Sequence, residues 1–329
     1  MMAPGRMGGW DVHTHLIPRP LIDSVAESRA HGMSLRPGQL CVCGHGIPLH
    51  PICEAERLVD RIRSDGLDGA IVSVPPPLFR PDLLHDARRA YADLVNGSLL
   101  AACRAHAPVL RPLAYLPAEA PEAAATIAET LGADWAGVVI GTEHPGLSYA
   151  DSAYAPLWQV LARKDLPIFI HPGSTPDARL QPFYLANLLG NPVETTIAAA
   201  QLVFGGVLHD FPRLKFILAH GGGAVAALAG RWQKGVATTR PGVPALPLPP
   251  IDAVKRFFVD SLVHSPSHGR MLMEVLGADR ILLGSDWPFP MGADSADADL
   301  GAYAPETVET IRRQNAERVF GCRLKWPGR

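Results

Sequence analysis

The chain has 329 residues, of which 47% are hydrophobic and 19% are charged, and its formal net charge is −2. This near-neutral balance offers no electrostatic footprint for nucleic acid or for an anionic membrane surface, so we expect a small-molecule partner. The chain has five cysteines, an odd number, and is long enough to bury its own core, so we expect no disulfide framework. No signal-like segment opens the sequence, so we expect a cytoplasmic location.

The first predicted element is a strand over residues 10–16 that carries His13 and His15. Alternation along a strand points both imidazoles to the same side. A lone pair of this kind is more often a hydrogen-bonded, partly buried structural pair than a metal site. The metal interpretation therefore depends on ligands that later segments supply.

Residues 18–53, which follow this strand, are rich in glycine, proline and histidine. The segment is too long for an ordinary connection between a strand and a helix, which predicts an insertion over the active-site mouth. A second zinc site is one interpretation of its sulfur and imidazole groups, but their spacings do not match paired Cys-x2-Cys motifs, which favours buried or loop thiols. These groups are Cys41, Cys43, His45, His50 and Cys53.

From Glu54 onward, short apolar strands alternate with amphipathic helices, among them a helix predicted over residues 194–210. Strands that are apolar throughout are typical of a parallel sheet covered on both faces. Eight such strands favour a (β/α)8 TIM barrel, which we expect to be a single metal-dependent domain over residues 1–329. No Gly-x-Gly-x-x-Gly motif follows any of these strands, so nothing argues for a dinucleotide-binding fold. The predicted strands are 10–16, 69–74, 110–116, 136–141, 167–171, 215–220, 257–260 and 280–285.

Side chains suited to metal binding recur at the ends of the predicted strands. His13 and His15 end strand 1, His171 ends strand 5, His220 ends strand 6 and Asp286 follows strand 8. The carboxyl ends of barrel strands meet at one mouth, where the active sites of such barrels lie. Three imidazoles and one carboxylate suit a divalent cation such as Zn²⁺, and a further histidine nearby can move a proton.

Together with these strand-end residues, four further motifs make the chain resemble members of the amidohydrolase superfamily. Within that superfamily, the motifs look specifically like those of the branch that contains aminocarboxymuconate-semialdehyde decarboxylase and its relatives. The resemblance extends from His13 through the Gly-Ser-Asp-Trp-Pro motif around Asp286, which is nearly the whole chain. It is more specific for the family than for the substrate. The motifs are residues 191–197, 204–207, 211–215 and 219–224.

The resemblance implies that His13, His15, His171 and Asp286 ligate one Zn²⁺ or similar ion. It also implies that His220, with Asp286, acts as acid and base in the non-oxidative decarboxylation of an aromatic or muconate-like acid. A hydrolase or hydratase acting on a lactone, amide or enoic acid is the alternative, and a barrel that has lost catalysis is a third interpretation.

The resemblance also bears on the number of metal ions. Relatives with two metals use a carbamylated lysine after strand 4, but the first lysine in this chain is Lys164, so one metal is expected. Glu143 is the alternative bridging ligand.

Substrate contacts are expected from Arg231, His264 and Trp287. The family holds substrate carboxylates with one arginine in the insertion after strand 1, absent here between Gly38 and Ala55, and another from a partner subunit, matched by Arg231. A homodimer follows if Arg231 crosses to the partner. The alternatives are a solvated Arg231, a structural hydrogen bond for His264 and a core position for Trp287.

Overall fold

The computed structural model describes residues 8–28, 30–142, 146–173, 175–298, 300–301 and 303–328. Within them, eight parallel strands form one sheet in the order β1, β5, β6, β7, β8, β9, β10, β11. The strands in chain order are β1 Trp10–His15, β2 Ser34–Arg36, β3 Gln39–Val42, β4 His45–Pro48, β5 Gly69–Ser73, β6 Leu110–Tyr115, β7 Gly137–Ile140, β8 Ile168–Ile170, β9 Phe216–Leu218, β10 Phe258–Asp260 and β11 Ile281–Leu282.

The sheet curls into a nearly closed barrel because its first and last strands meet. The backbone N–H of Val12 donates to the carbonyl of Leu283 over 2.8 Å, and Thr14 forms a parallel bridge with Trp287. All residues of these barrel strands are buried, as the continuous apolar runs predicted. The predicted (β/α)8 barrel is confirmed.

Helices follow the strands and cover the outside of the barrel. The long helix predicted over residues 194–210 is divided, because Gly206 takes a positive φ of 73° and ends the helical path between α6 and α7. The helices are α1 Arg19–Ser28, α2 Ala55–Ser64, α3 His85–Ala105, α4 Pro121–Thr130, α5 Ala155–Lys164, α6 Asn191–Phe204, α7 Val207–Asp210, α8 Val225–Ala237, α9 Pro250–Ala253, α10 Pro266–Val275, α11 Pro305–Glu309 and α12 Asn315–Phe320.

The segment after β1 contains helix α1 and a small antiparallel sheet of β2, β3 and β4. The β3–β4 turn needs positive φ at Cys43 and Gly44, 50° and 81°. The last strand of this sheet, β4, begins at His45, which lies at the mouth of the barrel. The limits of the insertion, predicted as residues 18–53, stay a prediction. Among the described helices, none is both long and apolar enough to cross a bilayer.

Candidate metal centre

The first two candidate ligands, His13 and His15, lie on β1 with their imidazoles fully buried. Because they are two residues apart on a strand, both side chains point to the barrel interior. Their Nε2 atoms are 3.2 Å apart. At that separation, one ion could contact both nitrogens.

His171 and Asp286 complete the group from two other strand ends at the barrel mouth. His171 follows β8 directly, and Asp286 lies four residues beyond the end of β11. The carboxylate oxygen Oδ1 of Asp286 lies 3.2 Å from Nε2 of His13 and 3.1 Å from Nε2 of His15. One ligand atom from each of the four residues lies within 4.8 Å of all the others. The structure thus brings together all four ligands that the sequence suggested.

Each of the three imidazoles is held through its Nδ1 atom, which leaves Nε2 facing the shared space. Nδ1 of His13 donates to Asp260 over 2.7 Å, and Nδ1 of His171 donates to the carbonyl of Pro172 over 2.9 Å. Nδ1 of His15 lies 3.0 Å from the hydroxyl of Ser73. Such contacts fix the tautomer and the ring orientation of metal-binding histidines.

Electrostatics also fit a buried cation. Burial lowers the pKa of His13, but the charge of Asp286 and the hydrogen bond to Asp260 outweigh it and raise that pKa to about 10. Burial lowers the pKa of His171 well below its usual value, and the charges of His13 and His220 lower it further. Burial raises the pKa of Asp286, yet its histidine neighbours hold that pKa well below the usual range. With a pKa of about 10, His13 carries a proton that faces the carboxylate of Asp286. A metal cation held by these two residues would displace that proton.

The residues therefore fit a divalent metal ion. Among the described residues, Nε2 of His171 is a buried polar atom without a hydrogen-bond partner, which a metal contact would satisfy. Three neutral imidazole nitrogens and one carboxylate oxygen form a donor set typical of Zn²⁺ and related cations.

The described part of the chain contains no second group of side chains that could hold a metal ion. The four residues above are the only set of three or more histidine, cysteine or acidic side chains close enough to share an ion there. The cysteines and histidines of the insertion form no such set, and all five cysteines are free thiols. Glu143, the alternative bridging ligand, lies outside the described residues. The expectation of one metal ion stays a prediction.

Asp260, at the end of β10, is the main residue of this site that the sequence did not reveal. Its Oδ2 accepts from Nδ1 of His13 and from the backbone N–H of His220, at 2.7 and 2.8 Å. Its Oδ1 accepts from the backbone N–H groups of Gly221 and Leu262, at 2.8 and 3.2 Å. One fully buried carboxylate thus positions a candidate metal ligand and the backbone of His220 together.

Asp11, a buried carboxylate on β1 two residues before His13, binds backbone and hydroxyl groups. Its Oδ1 accepts from the backbone N–H groups of His13 and Ser285, and its Oδ2 accepts from the Ser285 hydroxyl over 2.5 Å. Burial raises the pKa of Asp11 to about 6, against the hydrogen bonds from Ser285 that lower it. It joins β1 to the segment after β11, and its hydrogen bond to His13 goes to the backbone N–H rather than to the imidazole.

His220 lies beside the ligand group, after β9, with its backbone in the left-handed region at φ 56°. Its Nε2 is 3.8 Å from Oδ2 of Asp286, and its side chain is 18% exposed, towards a cavity at the barrel mouth. This arrangement places the imidazole of His220 between the candidate metal ligands and solvent. The acid and base role expected of His220 from the sequence stays a prediction.

The cavity has a volume of about 560 Å³, and His171, His220 and Asp286 form part of its wall. Of the three predicted substrate contacts, His264 lines it, whereas Trp287 lines a separate cleft with Pro51. Arg231 is exposed on α8 and is not part of the wall. The sequence did not single out His268, which also lines the cavity, and it considered His45 only as part of a second zinc site.

Comparison with known proteins identifies the family of this chain and agrees with its fold. The family model described as amidohydrolase matches residues 10–322. The chain is 31% identical over 191 residues to 2-amino-3-carboxymuconate-6-semialdehyde decarboxylase of Dictyostelium discoideum, covering 56% of this chain and 53% of that protein. It is 34% identical over 167 residues to 6-methylsalicylic acid decarboxylase of Penicillium expansum, covering 48% of this chain and 50% of that protein. The alignments thus span about half the length of these relatives.

Among solved structures, 5-carboxyvanillate decarboxylase from Sphingomonas paucimobilis is similar with a TM-score of 0.81. The match covers 95% of this chain and 99% of that one at 22% sequence identity. At this identity the likeness supports the barrel fold only.

Proposed function

Because the chain belongs to the amidohydrolase family, we propose that it is a metal-dependent, non-oxidative decarboxylase of an aromatic or unsaturated carboxylic acid. The observation that carries this proposal is the convergence of four ligand atoms within 4.8 Å at the inner end of a cavity, with His220 beside them. The similarity to two decarboxylases over about half their length favours loss of CO₂ over hydrolysis.

In this proposal, His13, His15, His171 and Asp286 hold one divalent ion. When bound, the ion supplies positive charge that attracts the substrate's carboxylate and stabilises the negative charge that develops as CO₂ leaves. Zn²⁺ is our choice because imidazole nitrogen and carboxylate oxygen are its common ligands. Titration of the metal-free protein with Zn²⁺ and with Mn²⁺ would test that choice.

The chain's own part in the reaction is control of one proton. The bond between the substrate carbon and its carboxylate breaks, the electron pair stays on that carbon, and CO₂ departs. We propose that Nε2 of His220 donates the proton that then bonds to this carbon, and that Oδ2 of Asp286, 3.8 Å away, orients the protonated ring. The partial exposure of His220 lets it regain a proton from solvent after each turnover.

A homodimer is part of this proposal, because Arg231 lies outside the cavity of its own subunit and could reach a substrate only in a partner's site. Support comes from an exposed apolar surface before and along α6, an unusual feature for a monomer. Its residues are Phe183, Tyr184, Leu188, Leu189, Val193 and Ile197, which are 40–84% exposed. Sedimentation should give a dimer, and Ile197→Glu should shift it towards monomer. A wild-type protein that stays monomeric would refute this part.

The sequence also predicted a cytoplasmic location, and we keep it as a proposal. Fractionation of cells that produce the protein would test it.

Product analysis tests the reaction itself. The zinc-loaded protein should release CO₂ from one or more acids in a panel of hydroxybenzoates and muconate-type acids, and His220→Ala protein with the same metal content should be the inactive control. Incorporation of solvent ¹⁸O into a product without CO₂ release, from a lactone, amide or enoic acid, would instead show a hydrolase or hydratase.

A further inference from the structure

The Gly-rich turn after β9, residues 219–224, carries His220 and has an unusual backbone. Four successive residues, His220, Gly221, Gly222 and Gly223, take left-handed φ angles of 56°, 62°, 74° and 60°. The three glycines adopt this conformation readily, but they bring no side chains that could pack and hold the turn. The position of His220 therefore depends on contacts that other segments supply.

The imidazole of His220 is not held in the way that the three candidate ligand imidazoles are. Each of those is held through its Nδ1 atom, whereas Nδ1 of His220 is a buried atom without a hydrogen-bond partner among the described residues. Its Nε2 lies 3.8 Å from Oδ2 of Asp286, which is beyond hydrogen-bonding distance. The placement of this ring therefore falls to its backbone.

Two side chains from outside the turn hold that backbone. At the start of the turn, the carboxylate of Asp260 accepts hydrogen bonds from the backbone N–H groups of His220 and Gly221, each over 2.8 Å. At its end, Oγ1 of Thr196 accepts from the backbone N–H of Ala224 over 2.9 Å. The two N–H groups between these ends bond over 3.1 Å to carbonyl groups of the turn itself. Thr196 is thus the counterpart of Asp260 at the other end of the turn.

Thr196 lies on α6, within the motif at residues 191–197, which supplies none of the candidate ligands and no candidate acid or base. Its buried hydroxyl donates to the carbonyl of Pro192 over 2.7 Å while it accepts from Ala224, so its one hydrogen and a lone pair are used at once. Pro192 and Gly223 both line the cavity, and a Cβ at Gly223 would overlap the carbonyl oxygen of Pro192. One hydroxyl therefore joins two parts of the cavity wall where they touch.

We propose that Thr196 is a positioning residue for His220. Its hydroxyl fixes the end of the Gly-rich turn, as Asp260 fixes the start, so that Nε2 of His220 faces Asp286 and the cavity. This inference rests on the proposed function for the role of His220, but the position of the ring can be measured without turnover.

The neighbouring Thr195 provides a matched control. It is also buried, and its hydroxyl donates to the carbonyl of Asn191 over 3.1 Å, which is the same contact within α6 that Thr196 makes to Pro192. Among the described residues, the hydroxyl of Thr195 makes no hydrogen bond to the Gly-rich turn. Valine at either position keeps the branched shape and removes the hydroxyl, whereas Thr196→Ser keeps the hydroxyl.

Nuclear magnetic resonance of the zinc-loaded protein, with ¹⁵N in its histidine rings, tests the position of the ring. The His220 signal is assigned by its loss in His220→Ala. Thr196→Val should shift or broaden this signal, whereas Thr195→Val and Thr196→Ser should reproduce the wild-type spectrum. An unchanged His220 signal in Thr196→Val would overturn the proposal. If Thr196→Val does not fold, Thr196→Ala takes its place, and failure of both to fold would show a purely structural role.

Kinetics on an acid that the wild-type protein decarboxylates give the second measurement. Thr196→Val should lower kcat by about 10–100-fold with KM and zinc content near the wild-type values, because a reacting group is misplaced without loss of substrate binding. Thr196→Ser should recover most of kcat, and Thr195→Val should keep it. A rise in KM alone, or an equal loss in Thr195→Val, would show that Thr196 supports the fold rather than His220. If the His220 signal changes as expected but no acid releases CO₂, the decarboxylase assignment fails and the positioning role stands.

Discussion

Replacing Asp260 with asparagine should weaken metal binding and turnover together, although Asp260 is not one of the candidate metal ligands. The carboxylate accepts two hydrogen bonds on each oxygen. Oδ2 receives them from Nδ1 of His13 and the backbone of His220, and Oδ1 from the backbones of Gly221 and Leu262. Asparagine has a single acceptor oxygen, so its amide NH₂ faces two of these donors whichever way the side chain turns.

The size of the effect follows from those contacts. Two lost hydrogen bonds to a charged group, at about 1.5–3 kcal/mol each, reduce the free energy of unfolding by about 3–6 kcal/mol. Loss of the partner that orients a metal-binding imidazole typically lowers metal affinity or activity by about 10–100-fold. We therefore expect a folded but less stable protein with a zinc dissociation constant raised within that range.

Asp11→Asn is the matched control, because Asp11 is an equally buried carboxylate of a barrel strand that binds the backbone of His13 without touching its ring. Zinc affinity is measured by competition with a chelating dye, and stability by thermal unfolding of both variants. Asp260→Asn should lower zinc affinity well beyond Asp11→Asn at a similar loss of stability. Unchanged zinc affinity in Asp260→Asn would refute the orienting role and leave Asp260 a purely structural residue.

Three further predictions concern the same centre. His220→Ala should keep its metal and lose about 10²–10⁴-fold in turnover, whereas Asp286→Ala should lose both, as metal analysis and CO₂ assays would show; full activity in the first variant would contradict its role as proton donor. Gly284→Ala should lower zinc affinity and melting temperature, because its added Cβ would lie 2.8 Å from Cβ of Asp260 and 2.9 Å from Cβ of His13; an unchanged dissociation constant would show that the strands accommodate the methyl group. Treatment with a chelator should abolish turnover and lower the melting temperature, and added Zn²⁺ should restore both; activity that survives complete metal removal would refute the proposed chemistry.

The candidate metal ligands could be predicted from the sequence because the barrel fold brings the carboxyl ends of its strands together. Once eight apolar strands are recognised, their carboxyl ends must meet, so His13, His15, His171 and Asp286 approach one another however far apart they lie in the chain. Asp260 also ends a barrel strand, but its partner His13 is 247 residues away. The sequence gives no sign of which strand-end side chain contacts which imidazole.

The predicted substrate contacts were harder to place, because they depend on how loops and helices lie over the mouth. Trp287 follows Asp286 directly but lines a different cleft, and the backbone between them turns at Asp286, which takes a left-handed φ of 58° that no spacing in the sequence predicts. His268 and His45 reach the cavity from the start of α10 and from the β4 hairpin, whose orientation no periodicity in the sequence specifies.

Three residues at the barrel mouth, His220, His264 and Asp286, share a left-handed backbone with φ of 56°, 54° and 58°. For residues with a side chain this conformation costs about 1–3 kcal/mol each, and only a well-packed surrounding structure can enforce it. The packed barrel around these residues therefore holds their backbone in the shape that the site needs. Substitutions that loosen distant parts of the barrel should therefore first relax the backbone of these three residues, before the chain as a whole unfolds.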